Sequence, residues 1–266
     1  PSAHGGHRGG RVPAMVIAVA MLVATAALLG ACGSGGDDYA VLSIDQALKV
    51  EAGQTVKVEG TLIATPERMV LASVVLESYP PQAGGSILVL EGLDLAGVVG
   101  LSSTAGQSGM AEVTWSDFPL VLEGVMSDGT LQVTGIPPVV ETVASSVRVR
   151  FSPGSEPQLL DGIVWWVFEV TNTSGAAYDL TFPSGQMGDL VFSQGGAEKY
   201  RWSIDKTFLQ SVQVHTLQPG ASMTFVLTDT LVLAPGVYDV KATVAASAGP
   251  GDSGTSLPEI ETTITL

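Results

Sequence analysis

Alternation of apolar and polar residues with a period of two dominates the chain after residue 39. Residues 55–63 read TVKVEGTLI, with Val56, Val58 and Leu62 on one face and Lys57, Glu59 and Thr61 on the other. Because successive side chains of a strand point to opposite faces, this pattern predicts half-buried β-strands. Further apolar or alternating runs lie at residues 69–76, 87–90, 119–126, 130–134, 147–151, 163–170 and 260–266. The chain is therefore expected to be all-β.

Turn residues separate these runs and define their connections. Asp128-Gly129 lies between two apolar runs and predicts a tight hairpin. Ser43 with Gln46 three residues later is a capping-box pattern and predicts one short helix over residues 44–49. Residues 92–109 are rich in Gly and Ser and are expected to form a mobile excursion.

Residues 39–140 are predicted to form the first domain. One short helix with about five strands resembles an OB-type small barrel, a fold that often binds oligonucleotides or sugars on one face. The chain has a net charge of −15 and no clustered basic residues, which argues against nucleic-acid binding. Its aromatic residues are scattered in sequence, at Tyr39, Tyr79, Trp115 and Phe118. A spacer or docking barrel is the favoured interpretation.

Residues 141–146 are predicted to be a linker and residues 147–266 the second domain. Short strands between residues 162 and 244 are separated by Asn-, Gly- and Pro-containing turns, which predicts a sandwich or barrel. In this domain Trp166 is expected in the core, whereas Trp165 shares a face with Glu169 and is expected to be partly exposed. The tail at 260–266 is expected to add an edge strand.

Five short segments of this domain resemble one family. In chain order they read FEVTNTS, LTFPSGQ, KYRWSIDKTF, LQPG and LAPGVYDVKA. Together they resemble the BsuPI domain, named for an intracellular proteinase inhibitor of Bacillus, over residues 147–246. The resemblance implies an Ig-like β-sandwich and inhibition of a subtilisin-like serine protease. One departure is Gly188, which stands where the family pattern leads us to expect an aromatic residue.

The residues after position 32 offer little catalytic chemistry. They include a single histidine, His215, which we expect on the solvent side of a strand. There is no GxSxG nucleophile motif, and a zinc site built from His and Cys is excluded by number. No calcium-loop pattern is present. The sequence therefore predicts no enzyme, no cofactor and no metal site.

Residues 1–32 have the features of a bacterial lipoprotein leader. Arg8 and Arg11 precede an apolar run over 12–29, and Leu29-Gly30-Ala31-Cys32 resembles a lipobox. We expect a signal peptide over 1–31, lipidation of Cys32 and a flexible tether through residue 38. The alternative is an uncleaved signal anchor, because about 18 apolar residues can span a bilayer. The expected location is the cell envelope, on the exported side of a bacterial membrane.

Two functional hypotheses remain open. The first is a membrane-anchored inhibitor of a subtilisin-like serine protease, and the second is a non-inhibitory scaffold or adhesion protein that docks another envelope protein. An inhibitor without disulfides must hold an exposed loop rigidly by its flanking strands. Loops 183–189 and 203–207 qualify, with Met187 and Phe208 as candidate partner-binding residues.

Overall fold

The computed structural model describes residues 40–136, 138–144, 146–152, 163–249 and 254–266. Strands make up 58% of these residues and helices only 3%, so the expected all-β fold class is confirmed. The predicted signal peptide, Cys32 and the tether lie outside the described residues. None of the helices in the described ranges is long and apolar enough to cross a membrane.

Two groups of elements follow one another along the chain. The first comprises β1 (Val41–Ser43), α1 (Ile44–Ala47), β2 (Thr55–Ala64), β3 (Met69–Leu76), β4 (Gln82–Glu91), a 3₁₀ turn (Leu95–Gly97), β5 (Leu101–Ser103), β6 (Thr114–Ser116), β7 (Leu120–Ser127) and β8 (Thr130–Gly135). The second comprises β9 (Val140–Ala144), β10 (Val147–Ser152), β11 (Ile163–Asn172), β12 (Tyr178–Phe182), β13 (Gly188–Gln194), β14 (Ala197–Arg201), β15 (Gln213–Leu217), β16 (Ser222–Thr230), β17 (Val237–Val244), β18 (Ser247–Gly249), β19 (Thr255–Ser256) and β20 (Ile260–Thr265).

Five strands of the first group close into a small barrel. β2 pairs with β3, β3 with β4, β4 in parallel with β8, β8 with β7, and β7 back to β2. The alternating apolar face of β2, including Val58 and Leu62, lies in the barrel core. Helix α1 contributes Ile44 and Ala47 to the same core. The barrel is OB-like, as the sequence predicts.

Two local signals in the barrel are confirmed, although the helix ends at Ala47 and not at residue 49. Ser43 Oγ accepts a hydrogen bond from the Gln46 N–H, and Gln46 Oε1 accepts one from the Ser43 N–H, so the capping box is complete. Asp128 and Gly129 both have positive φ angles, 45° and 79°. Two consecutive residues with positive φ are characteristic of the type I′ hairpin turn, whose twist matches that of the strands it joins.

Residues 92–109 are more ordered than expected. They contain the 3₁₀ turn and β5, and Val98 and Val99 are buried. A Cβ atom added at Gly100 would lie 3.1 Å from Val167 on β11. The excursion therefore packs on the second group of strands, and apolar burial orders a segment whose composition alone suggests mobility.

Residues 141–146 were expected to be a linker, but most of this segment is a β-strand in the structure. Val140–Ala144 forms strand β9, which pairs antiparallel with β10. Glu141 lies beside both arginines of β10, at 3.8 Å from Arg150 Nε and 4.0 Å from Arg148 Nε. The two arginines share one face of β10, as predicted. Their common partner, Glu141, helps to hold residues 140–144 against β10 as a strand, although the composition of this segment indicates only a junction.

The second group forms three four-stranded sheets around one core. Their orders are β16-β11-β10-β9, β15-β12-β18-β19 and β14-β13-β17-β20. β11 supplies Val164, Trp166, Phe168 and Val170 to the core, and Trp166 is 1% exposed. β20 lies at a sheet edge beside β17, as predicted. This arrangement agrees with the predicted sandwich.

The other face of β11 is covered by the barrel. Trp165 is half-buried, as expected, and its ring meets Phe118 edge-on at 6.4 Å between centroids. Glu169 is buried and bonds Arg150 Nη1 at 3.2 Å, while Arg150 Nη2 donates to the Ala96 carbonyl at 3.1 Å. A buried carboxylate needs such a partner, because leaving it uncompensated costs several kcal/mol, about 3–5.

Candidate protein-binding surface

The two loops singled out from the sequence lie side by side at one end of the sandwich. The Gly185 N–H donates to the Leu209 carbonyl at 2.8 Å. The Trp202 N–H donates to the Leu190 carbonyl at 2.9 Å, just after the first loop ends. Residues 183–189 and the stretch after β14 therefore form one continuous surface. We call residues 203–212 the apolar loop.

Asp189 fixes the start of the apolar loop. Its Oδ1 accepts from the Ser203 N–H at 3.0 Å, and its Oδ2 accepts from Ser203 Oγ at 2.7 Å and from Arg201 Nη1 at 3.3 Å. The Asp189 side chain is only 16% exposed. Hydrogen bonds to an ionised group are stronger than those between neutral groups, so this carboxylate holds the loop entry firmly.

Arg201 links this carboxylate to a second one. Its Nε and Nη2 donate to the two oxygens of Glu198, at 3.1 and 2.7 Å. The hydrogen bond to Arg201 is the main reason that the pKa of Glu198 is lowered, and its counterpart raises the pKa of Arg201. The bidentate geometry keeps the guanidinium in place at the end of β14.

Asp229 on β16 holds the other side of the loop. It accepts from Lys206 Nζ at 2.8 Å and from Tyr200 Oη at 2.7 Å. Burial acts to raise the pKa of Asp229, but these bonds and one from the Thr230 N–H outweigh it and lower the pKa. Burial and the hydrogen bond to Asp229 together raise the pKa of Tyr200 well above its usual range.

Trp202 joins the two carboxylate networks. Its Nε1–H donates to the Thr228 carbonyl at 3.0 Å, and Lys206 Nζ lies 4.9 Å from the centre of its ring. The Phe208 ring lies against Trp202 with centroids 5.7 Å apart. The tryptophan therefore fixes the path of the loop by a hydrogen bond, a cation–π contact and a ring contact.

The loop held in this way exposes aliphatic side chains. Residues 206–212 belong to no helix or strand. The exposed fractions are 61% for Ile204, 76% for Leu209 and 66% for Val212, and Val214 at the start of β15 is also exposed. Aliphatic residues exposed together on a rigid support are characteristic of a protein-binding surface.

The two predicted contact residues occupy less prominent positions. Met187 is half-buried and packs against the sandwich core, and its carbonyl accepts from the Ala245 N–H at 2.9 Å. Phe208 is half-buried beside Trp202. Leu209, which the sequence did not single out, is the most exposed of the large hydrophobic residues of this surface. The signal for it was the length of the connection between β14 and β15, which is too long for a tight turn.

Gly188 has a structural explanation. It is buried as the first residue of β13, where a Cβ atom would lie 2.9 Å from the Thr243 carbonyl oxygen and 3.1 Å from the Phe225 ring. An aromatic side chain would not fit there without displacing backbone. Glycine at this position therefore leaves room for the Thr243 carbonyl of β17 and for the Phe225 ring.

His215 does not lie on the solvent side, contrary to expectation. Val214 and Thr216 are the exposed residues of β15, whereas His215 is half-buried and meets Phe182 edge-on at 5.8 Å. Its Nε2 is buried without a hydrogen-bond partner. The register of β15 on β12, with His215 opposite Leu180, turns the ring inward.

Two of the scattered barrel aromatics meet in the fold. Tyr79 and Trp115 contact edge-to-face at 6.1 Å, and Tyr79 Oη lies within hydrogen-bonding distance of the Gln107 amide. Phe118 instead contacts Trp165, and Tyr39 lies outside the described residues. Within the described ranges, no group of three or more His, Cys, Asp or Glu residues is arranged to hold a metal ion.

Together, the fold and the surface define an Ig-like sandwich module with an ordered loop that exposes aliphatic side chains. Residues 161–249 match the model of the BsuPI family, described as intracellular proteinase inhibitor. The match covers both carboxylate networks and the whole apolar loop. It confirms the resemblance predicted for the C-terminal domain. A search of curated proteins found no match to this chain.

Proposed function

We propose that this chain is a lipid-anchored envelope protein whose sandwich domain inhibits a subtilisin-like serine protease. The observation that carries the proposal is the match of residues 161–249 to an inhibitor family. The protein is a binding module in this proposal, with no catalytic activity of its own.

The form of the apolar loop supports the proposal. A loop inhibitor binds tightly when its loop is already ordered, because ordering flexible residues on binding costs free energy. Disulfide-linked inhibitors obtain this order from cross-links. Here the described loop is held by Asp189 at its start, by Asp229 through Lys206, and by the Gly185–Leu209 hydrogen bond.

Inhibition can be tested with the full-length chain purified in detergent. It is added, up to tens of micromolar, to a panel of subtilisin-like proteases, and hydrolysis of a peptide substrate is followed. We expect at least one protease to lose activity in a saturable manner. Unchanged activity of every protease at that concentration, where even weak interfaces are populated, would refute inhibition.

The anchor is proposed from Cys32 and the residues before it. We expect Cys32→Ser to accumulate an unprocessed, slower-migrating precursor and to abolish metabolic labelling with palmitate. Equal labelling of the wild type and the variant would refute lipidation. This experiment is independent of inhibition, so the location and the activity are tested separately.

A docking role is the second candidate, and the surface of the barrel favours it. Val74 and Leu76 on β3 and Tyr79 after it are exposed aliphatic and aromatic side chains. Such a patch suits contact with another envelope protein. A photo-crosslinker placed at Leu76 should then capture one defined partner in cells. Capture of a protease through its active cleft at the apolar loop, with none at Leu76, would exclude docking as the main role.

A further inference from the structure

We propose that Leu209 is the main anchor of the inhibitory contact and that it enters an apolar subsite of the protease without being cleaved. This inference rests on the proposed inhibitory function and assigns the residue that makes the contact. It moves the predicted contact from Met187 and Phe208 to Leu209, which lies in the apolar loop and is hydrogen-bonded to Gly185.

Exposure and support together single out Leu209. It is more exposed than Ile204, Val212 or Val214, and it lies midway along the segment without secondary structure. The neighbouring Phe208 is fixed against Trp202, and the Leu209 carbonyl is fixed to Gly185. A leucine held out by ordered neighbours needs little further ordering to fill a pocket.

The charge pattern indicates the chemistry of the pocket. Residues 207–214 read TFLQSVQV and carry no formal charge, in a chain with 26 acidic residues. Burying this stretch against a partner therefore leaves no side-chain charge desolvated and unpaired. The occupant of the surface is a protease cleft with uncharged, apolar subsites, and a cleft that selects basic side chains would gain nothing from this segment.

The orientation of the backbone excludes Leu209 as the residue that is attacked. A serine protease attacks a carbonyl whose oxygen enters the oxyanion hole. The Leu209 oxygen instead accepts the Gly185 N–H within the inhibitor. Leu209 therefore binds through its side chain as an anchor, and its peptide bond with Gln210 stays intact.

The test compares variants of the full-length chain in detergent against the protease most strongly inhibited by the wild type. Leu209→Asp should weaken inhibition at least about 30-fold, the effect of losing a central interface residue. Leu209→Met should stay within about threefold, because an unbranched apolar side chain fills a similar volume.

Val143→Asp is the matched control. Val143 is an exposed aliphatic residue on β9, and β10 and β11 separate that strand from β16, which holds the loop. Three inter-strand spacings therefore put β9 roughly 14 Å from β16. Val143→Asp should inhibit as the wild type does. Equal weakening by Leu209→Asp and Val143→Asp would overturn the assignment, because the effect would then be one of surface charge.

Mass spectrometry of the inhibitor after prolonged incubation with the protease tests whether Leu209 binds without being cleaved. The peptide bond between Leu209 and Gln210 should remain intact while inhibition persists. Cleavage at that bond would overturn the anchor role. If the wild type inhibits and Leu209→Asp inhibits equally well, this inference fails and the proposed function stands. If the wild type inhibits no protease, the proposed function itself fails.

Discussion

The sandwich and the barrel both expose aliphatic side chains, but they support them differently. In the sandwich, Leu209 and its neighbours lie on a loop held by two carboxylates, Asp189 and Asp229. In the barrel, Val74 and Leu76 lie on strand β3, where the backbone pairs with β4 beyond a register shift between Ala72 and Val74. The irregular path of the loop depends on hydrogen bonds to these carboxylates, whereas the exposed residues of β3 depend only on the pairing of the sheet.

This difference is the reason that we propose the apolar loop, and not β3, for specific recognition. A strand can expose aliphatic residues without special support, and scattered surface aliphatics are normal in proteins. An irregular loop must satisfy its backbone groups away from any sheet, so ordering it takes dedicated partners. Removal of a side chain that orders the apolar loop should therefore change the properties of the sandwich surface and leave the barrel surface unaffected.

The largest effect is expected from Asp189→Ala. It removes the acceptor for Ser203 and Arg201 and leaves the Ser203 N–H unpaired, so we expect a loss of about 2–4 kcal/mol in the free energy of unfolding. Urea denaturation followed by tryptophan fluorescence measures it. Asp179→Ala is the control, because that carboxylate accepts one exposed side-chain bond, from Thr216. Similar losses in both variants would contradict the role given to Asp189.

Met187→Asp should mainly reduce stability. The side chain packs against the core, and a carboxylate there is partly desolvated and close to Asp189, so we expect a loss of about 2 kcal/mol. The melting temperature and the inhibition constant are measured together. Inhibition weakened tenfold at an unchanged melting temperature would instead identify Met187 as a direct contact, as predicted from the sequence.

Gly185→Pro should loosen the loop without unfolding the sandwich. It removes the N–H that holds the Leu209 carbonyl, so inhibition should weaken about tenfold, or about 1.4 kcal/mol. Gly185→Ala keeps the N–H, and its Cβ would meet the Leu209 nitrogen at an ordinary 3.4 Å. The alanine variant should therefore inhibit normally, and equal behaviour of the two variants would show that the bond is not needed.

Asp229→Asn should change the acid dependence of stability. The pKa of Asp229 is lower in the folded than in the unfolded state, so its stabilisation is present above the unfolded value of 3.8 and is lost as pH falls through the folded pKa. We expect the wild type to exceed the variant by less than about 1 kcal/mol at pH 7, and the difference to shrink as the pH falls below 3.8. A difference that does not shrink below that pH would contradict this account.

Leu76→Asp should have the smallest effect. The side chain is exposed on the barrel, so the free energy of unfolding should change by less than about 0.5 kcal/mol and inhibition should not change. Inhibition assays of this variant beside Leu209→Asp test the contrast between the two regions directly. Loss of inhibition in Leu76→Asp would place the barrel in the inhibitory contact.

Local patterns were sufficient wherever the decisive interactions are close in sequence. The Ser43–Gln46 capping box joins residues three apart, and the Asp128-Gly129 turn depends on two adjacent backbones. The strand at 69–76 was predicted with its observed bounds, because a short apolar run is a property of a single segment. The order of the BsuPI-like segments was likewise readable along the chain, and the family match confirms it.

Tertiary structure decided what depends on distant partners. β9 is a strand because Glu141 and its neighbours pair with β10, and His215 faces inward because of the register of β15 on β12. Asp189 reaches Ser203 across 14 residues, and Asp229 reaches Lys206 across 23. A sequence pattern reports the period of one strand, whereas these contacts depend on which strands become neighbours. Leu209 therefore emerged as a candidate only when the loop had been placed against Gly185.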